Sequence, residues 1–279
     1  MRTNFYELLA KKNFSISEEH STLLHLFSTE DAIFSNHFWE TTAEHIDKQY
    51  FRELPFRGSY TSINQIMSAF GFSRISSSID HLLTFCEFLI AVLPEQKATQ
   101  NFYFRKQRNT ILGNINHILD RTNHELMVDP NGNPIIVEKN KAATLAAQLV
   151  DDEVIAFELI EYNHFALKGD LEGKKKLLFS IAAHIEPILR SHVLQKAGYK
   201  QLESDAGFLF NNFHIRHNNR SGAKAQDYIT SISNADLEEW YDKAYEVALS
   251  VTNDASHQQI HMALFQFQKA VNRFCWWVC

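Results

Sequence analysis

With 279 residues, 45% of them apolar and 22 of them phenylalanine, the chain has the bulk for one large domain or two ordinary ones, which excludes a disordered polypeptide. A formal net charge of −6 excludes a molecule whose whole surface binds polyanions and leaves room only for a local basic patch. Cys86, Cys275 and Cys279 are too few for a disulfide framework. The N-terminal MRTNFYELLAKKNF has no signal-peptide pattern, and the apolar stretch Leu82–Leu93 is too short to cross a bilayer, so a cytoplasmic protein with no membrane partner is expected.

Only 9 glycines and 5 prolines punctuate the chain, which favours long helices joined by short connections. Residues 2–12 read as a short amphipathic helix, followed by helical spacing over Thr22–Phe34 and His37–Phe51 with a break near Thr29–Asp31. Pro55 and Gly58 mark a turn before a helix over Thr61–Phe72. Ser77-x-x-Asp80 has the form of a capping box and opens IDHLLTFCEFLIAVL, apolar nearly all round and therefore a central buried helix ended by Pro94. Gln100–Leu119 supplies the next.

The texture then changes. Glu125–Val128 and Ile135–Val137 are short β-like runs around Asp129-Pro130-Asn131-Gly132-Asn133-Pro134, a turn in which proline presets φ and glycine accepts a positive one. This hairpin reads either as a boundary between two halves or as a surface excursion within one domain. Helices resume over Ala142–Leu149, Asp152–Tyr162 and Asp170–His192, the last with Leu171, Leu178, Ile181, Ile185 and Leu189 in register. Ser233-x-x-Asp236 caps a helix with Leu237, Trp240, Tyr241 and Ala244 inward, and a separate helix over His257–Trp277 closes the chain. The expected class is all-α: a multi-helix bundle with one small β-hairpin, divided as residues 1–124, a hairpin connection at 125–140, and 141–279.

Chemistry-bearing motifs are scarce. No GxGxxG, GxxxxGK[ST] or G-x-S-x-G occurs, Cys86 lies within an apolar helix, and Asp151–Asp152 and Glu238–Glu239 read as helix-start and solvated positions. His257 and His261 lack a third converging ligand, and Cys275 and Cys279 sit beside Trp276 and Trp277 as terminal packing, so no metal and no cofactor is expected.

The densest polar stretch is Phe208–Gly222, FLFNNFHIRHNNRSG. Asparagine competes for backbone hydrogen bonds, so this segment should bend or end a helix around a polar site. Two readings follow. Arg216 could stabilise an anionic phosphorus centre while His217 moves a proton, with Asn212, Asn218, Asn219 and Arg220 holding RNA. Alternatively, the same residues seal a helix end and bridge to acidic partners.

LEGKKKLLFSIAAHIEPIL, GFLFNNFHIRHNN and DLEEWYDKAYEVAL together resemble uncharacterised bacterial HEPN-like helical proteins, of the kind common among abortive-infection and toxin–antitoxin ribonucleases. The resemblance covers roughly residues 150–250 and is carried by N-N-x-x-I-R-H-N-N. It implies a HEPN-like bundle over residues 141–279 and metal-independent RNA cleavage from R-x(4–6)-H, with Arg216 as the arginine and His217 as the polar residue after it. It also implies a homodimer, in which Arg216 and Arg220 of both copies would line one groove, and a role in stress or phage defence with a protein partner or antitoxin. The distal histidine is missing: its place is held by Ser221, Gly222 or Ala223 counted from Arg216, and by Ala225, Gln226 or Asp227 counted from Arg220.

Two functions are therefore carried forward. One is a HEPN-like RNA-targeting protein, a metal-independent endoribonuclease without its usual distal histidine. The other is a non-catalytic helical interaction module whose aromatic-rich N-terminal half binds a protein. An open cleft at Arg216 and His217 favours the first; burial against carboxylates favours the second.

Overall fold

Helices carry most of the described residues, and the computed structural model describes residues 14–29, 32–35, 38–54, 58–98, 102–216 and 232–275. The expected helix over residues 2–12 lies outside them, as do His217, Asn218, Asn219 and Arg220. The chain divides into two compact units, Met1–Ile136 and Val137–Cys279.

Unit 1 contains α1 (Ile16–Ser28), β1 (Ala32–Ser35), β2 (Phe38–Glu40), α2 (Thr42–Gln49), α3 (Ile63–Ala69), α4 (Ile79–Val92), α5 (Glu95–Ala98), α6 (Phe102–Thr122) and β3 (His124–Val128). The strands β1 and β2 replace helix expected on both sides of residue 36. α1 stops at an extended Thr29, whose N–H still bonds to the His25 carbonyl, and α2 starts only at its own capping box, Thr41 with Glu44. Between these ends, AIFS and FWE are β-branched and aromatic enough to pair antiparallel, Ala32 opposite Glu40, with a bulge between Ile33 and Ser35. Helical spacing alone missed that stop.

α4 is the centre of this unit. Leu82, Leu83, Phe85, Cys86, Leu89 and Val92 are buried, and no residue from His81 to Leu93 is exposed. Its cap is Ser78, one residue later than expected, accepting from the His81 N–H. Phe27 of α1, Phe72 and Phe104 of α6 are also fully enclosed or nearly so, each such ring worth roughly 1.5–3 kcal/mol of burial. Buried polar groups are paired: Glu40 Oε1 meets His45 Nδ1 at 2.8 Å, its Oε2 accepts from Lys48 at 2.9 Å, and Tyr50 donates to the Val92 carbonyl at 2.9 Å. Burial alone would raise the Glu40 pKa, but the hydrogen bonds from Lys48 and His45 hold it below the ordinary value.

The hairpin forms where expected. β3 and β4 (Pro134–Glu138) pair across a turn held by one side chain, Asp129. Its carboxylate accepts the N–H groups of Asn131 and Asn133 at 2.9 and 2.6 Å and the Asn133 amide at 2.8 Å, while Gly132 takes φ +86°. The division between the units falls within β4.

Unit 2 comprises α7 (Lys141–Leu149), α8 (Glu153–Glu161), α9 (Leu171–Arg190), α10 (Val193–Lys196), α11 (Lys200–Asn212) and α12 (Asn234–Cys275). α9, α11 and α12 enclose a core of Leu178, Ile181, Ile185, Ala206, Phe210, Ala244 and Ala248. Asp170 caps α9 through the Gly173 N–H at 2.9 Å, and a Cβ on Gly173 would stand 2.4 Å from that carboxylate, so any larger residue there must push the capping side chain aside. The two helices expected after Ser233 are one. Ser233 caps it as anticipated, accepting from Asp236 N–H at 3.1 Å, and no proline or glycine follows before Cys275 to interrupt it.

One buried pair in unit 1 breaks the pairing rule. His20 of α1 is fully enclosed, its ring 5.3 Å from His81 and 5.0 Å from Phe85, and neither of its nitrogens nor His81 Nε2 has a hydrogen-bond partner among the described residues. Burial, and then the neighbouring His81, push the His20 pKa below its ordinary 6.5. The unfolded chain therefore takes up a proton that the folded one refuses, so this contribution to stability is complete above pH 6.5 and declines as the pH falls below it. His20→Phe keeps the ring packing and should flatten the fall of Tm between about pH 7 and 5. Thermal unfolding across that range checks this, and parallel wild-type and variant curves would exclude it.

Candidate functional site

The apolar half of FLFNNFHIRHNNRSG is core apart from Phe208, which is exposed. Leu209 and Phe210 face inward from α11, Phe213 stacks on Trp240 of α12 at 4.7 Å, and Ile215 is buried. As expected of asparagine-rich sequence, the helix ends here. Phe213 N–H bonds back to the Leu209 carbonyl, His214 turns through φ +55°, and Arg216 N–H returns to the Phe210 carbonyl at 3.0 Å.

The polar half splits. Asn212 folds its amide onto the Phe208 carbonyl at 2.7 Å, satisfying its own helix end. The Arg216 side chain is only 13% exposed and is paired with Glu186 of α9. Arg190, one turn along α9, pairs with the same carboxylate. Burial favours a neutral Glu186, yet hydrogen bonds from Arg216 and Arg190 outweigh it and hold the pKa below the usual carboxylate range. The structure thus sends Asn212 and Arg216 to different partners. His217, Asn218, Asn219 and Arg220 belong to the undescribed stretch.

A better-formed polar cluster lies elsewhere in unit 2. Lys174 stands on the apolar stripe of α9, between Leu171 and Leu178, and its side chain is 8% exposed. It reaches Asp242 Oδ1 at 2.7 Å and Glu238 Oε1 at 2.9 Å on α12, with the Tyr162 ring 5.6 Å away. Tyr162 donates to the same Asp242 oxygen at 3.0 Å and stacks on Tyr245 at 4.0 Å. Tyr245 donates to the Leu159 carbonyl at 2.5 Å and accepts from the Asn163 amide at 2.6 Å. The Gly169 N–H, then Lys174, hold Glu238 below its ordinary pKa; burial, then the Asp242 carboxylate, push the Tyr162 hydroxyl far up.

Lys174, Tyr162, Tyr245 and Asn163 all donate within the cluster, and both carboxylates that meet the lysine come from α12. The chemistry of the cluster is that of a clamp between α9 and α12. The sequence places Lys174 to Lys176 near the start of their helix and says nothing of their partners. The signal was present: Leu171, Lys174, Leu178, Ile181 and Ile185 are one 3–4 repeat, so the lysine interrupts a core stripe.

Among the described residues, no group of three or more His, Cys, Asp or Glu side chains is placed to hold a metal ion, and no helix is long and apolar enough to cross a membrane. No family model, curated protein or solved structure matches the chain.

The clamp orders its own substitutions. Tyr162→Phe loses one hydrogen bond to a half-exposed carboxylate and should cost about 1 kcal/mol. Tyr245→Phe removes the shortest bond of both the Asn163 amide and the Leu159 carbonyl, leaving only the longer contacts of that amide to the Leu159 and Ile160 carbonyls, and should cost about 1–3 kcal/mol. Tm should fall in that order, about 2–4 °C for each kcal/mol; equal shifts would contradict the network. Arg216→Ala should lower Tm by several degrees near neutral pH, and more than Arg190→Ala, because Arg190 is exposed. A depressed carboxylate stabilises above its unfolded pKa and loses that effect as the pH falls through its folded one. The penalty of Arg216→Ala should therefore shrink below about pH 4.

Proposed function

We propose that this protein works by binding and not by catalysis: a helical interaction module whose Asn/Arg/His string is architectural and whose aromatic-rich N-terminal half engages a protein partner. One observation carries the reading: Arg216, the arginine on which RNA cleavage would depend, is largely covered and bonded to Glu186. An arginine that stabilises a phosphorus-centred transition state must face the substrate with its charge unspent. Here a carboxylate has already neutralised it and would repel an approaching phosphate. The missing distal histidine points the same way, and a HEPN-like domain that lacks the chemistry is compatible with both facts.

The test is incubation of purified protein with a mixed tRNA and mRNA pool in EDTA, beside Arg216→Ala and His217→Ala. No cleavage is expected from any of them. EDTA-resistant cleavage that both variants lose, while keeping the wild-type circular dichroism spectrum and Tm, would replace this reading with the ribonuclease one.

A further inference from the structure

Phe102, Arg105, Lys106, Asn109 and Thr110 follow one another at i, i+3, i+4, i+7 and i+8 along α6 and line an open cavity of about 420 Å³. The stripe runs about 12 Å, two turns of helix. Phe102 is 64% exposed and the adjoining Tyr103 51%, large areas of aromatic surface to leave in water. Arg105 and Lys106 are exposed, and neither has an acidic partner among the described residues. From Phe102 to Leu119 the sequence contains no aspartate or glutamate at all.

The opposite face of α6 fixes this stripe in place. Phe104, Ile111, Ile115 and Ile118 are buried, the Gln107 amide donates to the Leu26 carbonyl at 2.6 Å, and Arg108 Nε donates to the Leu93 carbonyl at 2.8 Å. The exposed side chains therefore stand on a rigid support. Cations in the first turns of a helix also run against its macrodipole, a cost that an anionic partner removes.

Two partners carry the matching negative charge, and the ring geometry separates them. A nucleic acid base needs the flat face of an aromatic ring. The Arg105 guanidinium already lies over the Phe102 ring, 5.7 Å from its centre, and Tyr103 meets that ring edge-on at 5.6 Å. Edges and a guanidinium suit aliphatic side chains and carboxylates instead. The net charge of −6 also disfavours a long polyanion more than a short acidic segment.

We propose that this stripe of α6 is the docking face for an acidic amphipathic helix of a partner protein. The partner's carboxylates pair with Arg105 and Lys106, its apolar residues pack against Phe102 and Tyr103, and Asn109 hydrogen-bonds at the rim. This deepens the functional reading above and rests on it.

The experiment is fluorescence anisotropy with the full chain and three labelled probes: a Glu/Leu amphipathic peptide, its Gln/Leu counterpart, and oligouridylate. The Glu/Leu peptide should bind about tenfold more tightly than the Gln/Leu one, and its affinity should fall as salt rises. Arg105→Glu with Lys106→Glu should erase that preference. Phe102→Ala should weaken both peptides about tenfold, and all these exposed positions should leave Tm unchanged. Equal binding of the two peptides, or Glu/Leu binding that survives the substitutions, overturns the proposal. Oligouridylate binding more tightly and displacing the peptide overturns it in favour of a nucleic acid partner. Cleavage of RNA by the same preparations in EDTA would sink the non-catalytic reading alone, whereas absence of the Glu/Leu preference in the wild-type protein sinks only the docking face.

Discussion

Lys174 occupies a place in an apolar helix stripe where a leucine would ordinarily sit, and unit 2 is arranged to meet its charge. A buried ammonium without partners would be untenable, so α12 must present Asp242 and Glu238 at one height and one rotation against α9. Tyr162 then donates to the same Asp242 oxygen, and the stack on Tyr245 carries the same constraint to Asn163 and the end of α8. Leucine against alanine would tolerate sliding of one helix along the other; a lysine between two carboxylates does not. The clamp's contribution is thus register more than net stability, since a well-packed apolar replacement can match a buried ion pair in energy.

The same rule explains the two other charged contacts of consequence. Glu40 is covered by its own unit and is held ionised by Lys48 and His45. Glu186 gathers Arg216 and Arg190, and through Arg216 it ties the chain that leaves α11 back to α9. The His20–His81 contact is the exception, because imidazole can discard its charge and an ammonium at this pH cannot. A His20 ring held neutral by burial can share an aromatic enclosure with His81 and Phe85, at the expense of making that part of unit 1 sensitive to acid.

What the sequence revealed and what it concealed divide along the range of the interactions. The Asp129 turn, the Ser233 cap and the buried helix after Ser78 rest on neighbours within a few residues, and all were legible. The strands at 32–40 were not, because aromatic residues at mixed spacing fit both periods and the choice fell to where α1 and α2 are capped. The single long α12 was read as two helices because polar Thr252, Asn253 and Asp254 resemble a connection; Thr252 instead bonds its hydroxyl to the Ala248 carbonyl within the helix. Lys174 lies near the start of its helix as the sequence places it, but its carboxylates lie 64 and 68 positions away in sequence, and pairing at that distance leaves no local trace.

The Asn/Arg/His string teaches the complementary lesson. A high density of hydrogen-bonding side chains is what a catalytic site needs, but it is equally what a helix end needs when its last carbonyls must be met without another helix to follow. Asn212 and the Arg216 backbone do that work here, and the Arg216 side chain is drawn off by a carboxylate that no local pattern predicts. The stripe on α6 is the converse case. Its residues attract no attention as a motif, being two aromatics, two cations and an amide in an ordinary helix. They become conspicuous only when the fold leaves them outward, unneutralised and braced from behind. In a polar cluster, then, the mark of function is not how many hydrogen-bonding groups it holds but how many remain unspent once the chain has folded.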